Sequence, residues 1–66
     1  MMIRKEGHDC YVIGIYMAER ISPRLWAIST DRSGTIRNFR SLFAAYCSMT
    51  GEKPTRDEFR CFVAKL

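Results

Sequence analysis

The chain contains no stretch approaching the roughly 20 apolar residues that a membrane-spanning helix needs, so no bilayer role is expected. It has no glycine-rich phosphate loop, no paired carboxylates and no Ser/His/Asp set. Its one histidine, His8, stands near the N-terminus, where a solvated side chain is the ordinary outcome, and an enzyme is not expected. Cysteines are few and odd in number. Cys10, Cys47 and Cys61 form no C-x-x-C pair, whereas structural zinc sites usually draw two ligands from one tight turn. Neither a metal held by His8 with the three thiols nor a disulfide framework is therefore expected, and buried reduced thiols fit best. The apolar run from Cys10 to Ala18 is too short for a signal peptide, follows His8 and Asp9, and leads into Glu19 and Arg20. A cytoplasmic location and no cofactor are the expectations.

Acids are scarce in one place. Between Arg20 and Arg40 five arginines, Arg20, Arg24, Arg32, Arg37 and Arg40, face a single acid, Asp31, giving that segment the whole chain's net charge of +4. The other six bases are balanced by six acids. Guanidinium binds phosphate or carboxylate through a planar fork, so an anionic macromolecule is the leading expectation, nucleic acid first and an acidic protein surface second, with these five arginines as its contacts.

At 47% hydrophobic and 27% charged residues, the composition is that of an ordered globular chain, and 66 residues fit a single small domain. A domain of this size buries only about 60% of the surface its unfolded chain exposes, so a partner or self-association can contribute to the fold.

The pattern predicts an α+β protein, a small antiparallel three-stranded sheet followed by two helices, after a flexible N-terminus over residues 1–9. Tyr11, Val12, Ile13, Ile15 and Tyr16 are β-branched or aromatic types, placing a first strand over 10–18 with Gly14 as a bulge. Pro23 ends a polar connection, and a second strand runs from Arg24 through Leu25, Trp26, Ala27, Ile28 and Ser29. Asp31, Arg32, Ser33 and Gly34 form a turn signal, and Thr35 to Phe39 is the third strand, weak in its alternation. Leu42, Ala45, Tyr46 and Met49 then recur at helical spacing between Ser41 as N-cap and Gly51 as terminator. A last helix opens on the capping box Thr55 and Glu58 and carries the stripe Phe59, Phe62, Val63, Leu66.

Trp26, Ala27 and Ile28, then Gly34, then Phe39, then a helix holding Ala44, Ala45 and Tyr46 form an order that resembles the three-stranded-sheet-plus-helix DNA-binding domains of the integrase-arm and AP2 type. The likeness covers about Tyr11 to Gly51 and leaves Thr55 to Leu66 outside. It implies that the hairpin strands contact DNA with the helix packed behind, and that Arg24, Arg32, Arg37 and Arg40 are the contacts. A two-stranded ribbon fits the major groove of duplex DNA, where arginine binds guanine bidentately. The structural alternative is a solvated sheet face whose arginine stems cover apolar surface.

Two other functions compete. A helix-turn-helix would use 41–50 and 55–66, but Asp57 and Glu58 would meet phosphates where such a reader helix makes its first contacts. A protein-binding module or inhibitor, of the small type found in phages and mobile elements, would dock on an acidic surface of a larger protein. Eight aromatics in 66 residues exceed what a thin core needs, which leaves Trp26 and Phe39 as possible stacking or anchor residues. The apolar first strand also raises pairing with a second copy, hence a homo-oligomer.

Overall fold

A computed structural model describes residues 1–30 and 34–66. Its elements are β1 (Ile3–Gly7), β2 (Cys10–Ile13), β3 (Tyr16–Ser22), β4 (Leu25–Thr30), β5 (Gly34–Phe39), α1 (Leu42–Thr50) and α2 (Arg56–Ala64). The strands form one antiparallel sheet in sequence order. The fold is therefore α+β with the sheet before the helices, but the sheet has five strands where the sequence predicts three.

Both extra strands have a physical reason. The apolar run from Cys10 is two strands, not one: Ile13 pairs with Tyr16 around a loop of Gly14 and Ile15. Gly14 takes φ +62°, the left-handed conformation that a II′ hairpin turn needs at its first central position. It is a turn residue and not a bulge. Ile15 disguises this turn, because an isoleucine left 79% exposed is not a turn signal. Second, Ile3–Gly7 is an edge strand where a flexible terminus is predicted, since Ile3 pairs with Ile13 and is buried. Its charged run, Arg4, Lys5 and Glu6, suits an edge. β3 likewise continues through Glu19–Ser22, predicted as a connection. Of the predicted turn, Asp31, Arg32 and Ser33 lie outside the described residues.

Strand alternation sorts the sheet into two faces. Cross-strand rows Ile3–Ile13–Tyr16, Tyr11–Ala18–Ile28–Arg37 and Arg20–Trp26–Phe39 lie on the face that the helices cover. Arg4–Val12–Met17 and Cys10–Glu19–Ala27–Asn38 lie on the other, uncovered face. Register shifts leave Glu6, Ile21 and Ile36 as extra residues, and the two isoleucines are exposed. Such bulges twist an edge away from further pairing. The segment predicted to pair with a second copy forms β2 and β3, strands bonded on both sides.

Both helices start as predicted and α1 stops as predicted, whereas α2 ends at Ala64, short of the predicted Leu66. Ser41 Oγ accepts from Ala44 N–H at 3.0 Å, and Gly51, at φ +76°, closes α1. Thr55 and Glu58 form both bonds of the capping box on α2. Hydrogen bonding to the Glu58 carboxylate from the Thr55 backbone N–H, and second from the Thr55 side chain, holds it below its ordinary range, a stabilising contribution present above that range and lost as pH falls through the lowered value. Leu42, Ala45 and Tyr46 are buried against the sheet. From α2 only Phe59 is fully buried, its ring edge-on to Phe43 at 5.4 Å and tilted against Tyr46 at 5.2 Å. Leu66, the end of the predicted stripe, is exposed.

Tyr46, with no exposed surface, ties three segments together: its hydroxyl accepts from Met2 N–H at 3.2 Å and donates to the Glu52 carboxylate. Burial, with the Glu52 carboxylate second, pushes its phenol above the ordinary range. A phenol held protonated in the folded state loses stability once the unfolded chain ionises, so this contribution fades as pH rises above about 10. Because Met2 and Glu52 are exposed and can rehydrate, Tyr46→Phe is expected to lower stability in urea by about 1 kcal/mol and to flatten the alkaline loss. Gly14→Ala should cost about 1–2 kcal/mol through its positive φ alone, since an added Cβ would meet only Met2 Cε at 3.7 Å.

Candidate functional site

The register carries most of the predicted arginines to one end of the sheet. Arg20 lies in a row with Trp26 and Phe39, Arg24 occupies the β3–β4 loop after Pro23, and Arg40 follows Phe39 directly. Arg37 sits one row lower, opposite Ile28 on the helix side. Its guanidinium lies over the Phe39 ring at 5.1 Å and donates to Ser48 Oγ of α1 at 3.5 Å. Arg20 is paired as well. Its Nη1 lies 3.6 Å from Asp9 Oδ1, and its backbone N–H donates to the Asp9 carbonyl at 3.0 Å, fixing Asp9 at φ +52° in the β1–β2 loop. The described guanidiniums thus share an end of the molecule and not one outward face of a hairpin. Arg32 lies outside the described residues.

Arg24 and Arg40 are exposed, and neither has an ion-pair or hydrogen-bond partner among the described residues. Two arginines that the sequence reading left aside belong to the same end. Arg56 and Arg60 of α2 border a cleft of about 440 Å³, open to solvent between α2 and the sheet. Its floor is Tyr11, Trp26 and Leu42, and its far wall is Phe43, Phe59 and Val63. Asp9 closes the lip beside Arg20. On α2, Arg56, Phe59, Arg60 and Val63 follow i, i+3, i+4, i+7 spacing, so cationic and apolar side chains share one face. That spacing was available in the sequence. It was hidden by the overlapping apolar stripe that begins at Phe59.

Arg56 lies over the Phe43 ring with its Cζ 5.0 Å from the centroid, and the residue is exposed. Arg60 meets Asp57 at 3.6 Å, but both side chains are largely exposed, so that pair contributes about 0–1 kcal/mol at most. Trp26 is 8% exposed and packs on Tyr11 at a ring separation of 5.9 Å, which makes it core with one edge at the cleft. Phe39 is half-buried beneath Arg37. All eight aromatics are buried or half-buried, contrary to the expectation of surplus exposed rings.

The uncovered sheet face differs in character. Arg4 is neutralised there by Glu6 at 2.9 Å, and Glu19 adds a second acid. Cys10, on this face, lies 3.5 Å from Met17 Sδ, and burial followed by Glu19 and Glu6 raises its pKa, keeping the thiol protonated and weakly nucleophilic. Cys10 and Cys47 are half-buried and Cys61 is exposed, so the thiols are not uniformly interior as expected. His8 is almost wholly exposed beside Asp9, 3.4 Å away, and no cluster of metal-binding side chains occurs among the described residues. No helix among the described residues is long and apolar enough to cross a membrane.

Comparison with protein-family models, with curated proteins and with solved structures gives no match for this chain.

Because Arg24 and Arg40 are exposed and have no polar partner among the described residues, their substitution by Ala should change stability by less than about 0.5 kcal/mol, measured by urea unfolding of the double variant. A larger loss would show that their role is structural.

Proposed function

We propose that this chain is a non-enzymatic binding domain that docks on an acidic surface of a larger protein through the arginine-bearing end of its sheet. The observation that carries this reading is the aromatic-floored cleft lined by Arg56 and Arg60, with Arg20 paired to Asp9 at its lip and with Arg24 and Arg40 at the same end of the sheet. Arginine and aromatic groups are the types enriched at the energetic centres of protein interfaces, and a basic rim around an apolar centre is their usual layout.

Duplex DNA is the second reading, favoured by the exposed Arg24 and Arg40, which have no ion-pair or hydrogen-bond partner among the described residues and can hold phosphates. Insertion of the sheet into a groove has less support. The uncovered face offers Arg4 already paired with Glu6, together with the acid Glu19, and Arg37 is turned toward α1. Phosphates brought to that face would meet acids and not free cations.

The two readings separate in a pull-down from lysate of the source cells, performed with and without nuclease. A captured protein that survives nuclease and is lost with the Arg24→Ala/Arg40→Ala double variant is the expected result. Loss of all capture on nuclease treatment would transfer the role to nucleic acid, and a steep fall of duplex affinity with salt would then count the phosphates neutralised. Capture indifferent to both arginines would overturn the proposal.

A further inference from the structure

Of the surfaces on the molecule, the cleft between α2 and the sheet is the one where shape and charge point to the same ligand. Its lining is largely apolar and aromatic, and its volume of about 440 Å³ falls within the range of sites that enclose a small organic group. Cationic groups stand on one side only. Arg56 and Arg60 project from α2 one turn apart, while on the opposite lip the charge of Asp9 is already met by Arg20 at 3.6 Å. An occupant therefore needs an apolar body directed at Trp26 and negative charge directed at α2.

We propose that the cleft receives an aromatic side chain of a protein partner flanked by acidic residues, the ring entering between Trp26 and Val63 and the carboxylates pairing with Arg56 and Arg60. This rests on the protein-docking reading above and names the element recognised. The ring of a phenylalanine or tryptophan offers more apolar surface than an aliphatic side chain and meets Tyr11, Trp26 and Phe43 edge-on or tilted, the arrangements that aromatic groups prefer. Arg56, over the Phe43 ring and exposed, has N–H groups that an incoming carboxylate can reach. Arg60 needs only to exchange the solvent-exposed Asp57 for an incoming acid. A nucleobase fits less well. Its ring nitrogens and exocyclic groups require several hydrogen-bond partners, of which the floor offers only the Tyr11 hydroxyl and the Trp26 indole N–H, and unpaired polar groups are costly to bury.

The test is a nuclear magnetic resonance titration of the intact chain, following the Trp26 indole N–H and the backbone amides of Phe59 to Ala64. The probe is an acetylated pentapeptide with a central phenylalanine and two acidic residues on each side. Two control peptides replace its acids by their amides or its phenylalanine by alanine, and the third control is oligothymidylate. Saturable shifts at these positions are expected, with each control peptide binding about tenfold more weakly. The Arg56→Gln/Arg60→Gln variant should bind acidic and amide peptides alike, whereas Arg24→Ala/Arg40→Ala should keep the preference. Ala64→Phe, which adds a ring at an exposed position of the cleft wall, should block the peptide while preserving the dispersion of the spectrum.

No saturable shift at millimolar peptide would overturn the proposal. So would equal affinity for acidic and amide peptides, or stronger shifts of the same signals by oligothymidylate. The two proposals fail separately. Protein capture that needs Arg24 and Arg40 but is untouched by Arg56→Gln/Arg60→Gln removes the cleft alone, and peptide binding in a chain that captures only nucleic acid removes the docking reading alone.

Discussion

One buried phenol ring holds the molecule together. Tyr46 lies beneath the sheet, accepts a hydrogen bond from the backbone N–H of Met2 just before β1, donates one to the Glu52 carboxylate beyond α1, and packs its ring on Phe59 of α2. Without that side chain, the segment leading into β1 would lose its bond to the helical half, and α2 would lose one of the two aromatic faces that seat Phe59. The cleft depends on this arrangement, because its far wall is made of side chains that Tyr46 and Phe43 hold against the sheet. A core this thin has few redundant contacts, and a small chain places unusual weight on each one.

The helical half was legible in the sequence because its signals are local. A serine three residues before the amide it caps, a glycine at the end of a periodic run and the Thr55/Glu58 box each act within one turn. The sheet was less legible because its decisive facts are non-local. Nothing near Ile3 announces that it will be buried opposite Ile13, and nothing beside Gly14 marks a turn when its companion is Ile15. Charged residues on an edge strand look like a disordered tail until the partner strand is known.

The candidate surface was half legible for the same reason. A count of charge located the excess in Arg20–Arg40, and strand register then brought Arg20, Arg24 and Arg40 to one end. Register also turned Arg37 toward α1, which alternation along β5 anticipates only once the covered face is known. Arg56 and Arg60 entered through tertiary packing. They sit in a segment whose charges cancel by composition, since Asp57 and Glu58 offset them, yet on the folded helix the bases face the cleft while Glu58 is engaged with Thr55. Net charge by segment and charge by surface are different quantities.

The attachment of α2 has a mechanical corollary. Its connection to the rest rests on one fully buried side chain, Phe59, on half-buried Phe62 and Val63, and on a short tether from Gly51 to Thr55. The opposite side of the cleft belongs to strands locked by continuous ladders. Elements with few buried contacts open at lower free energy than the core does. By that rule α2 is the side of the cleft that yields first, and Arg56 and Arg60, anchored on it, are displaced together.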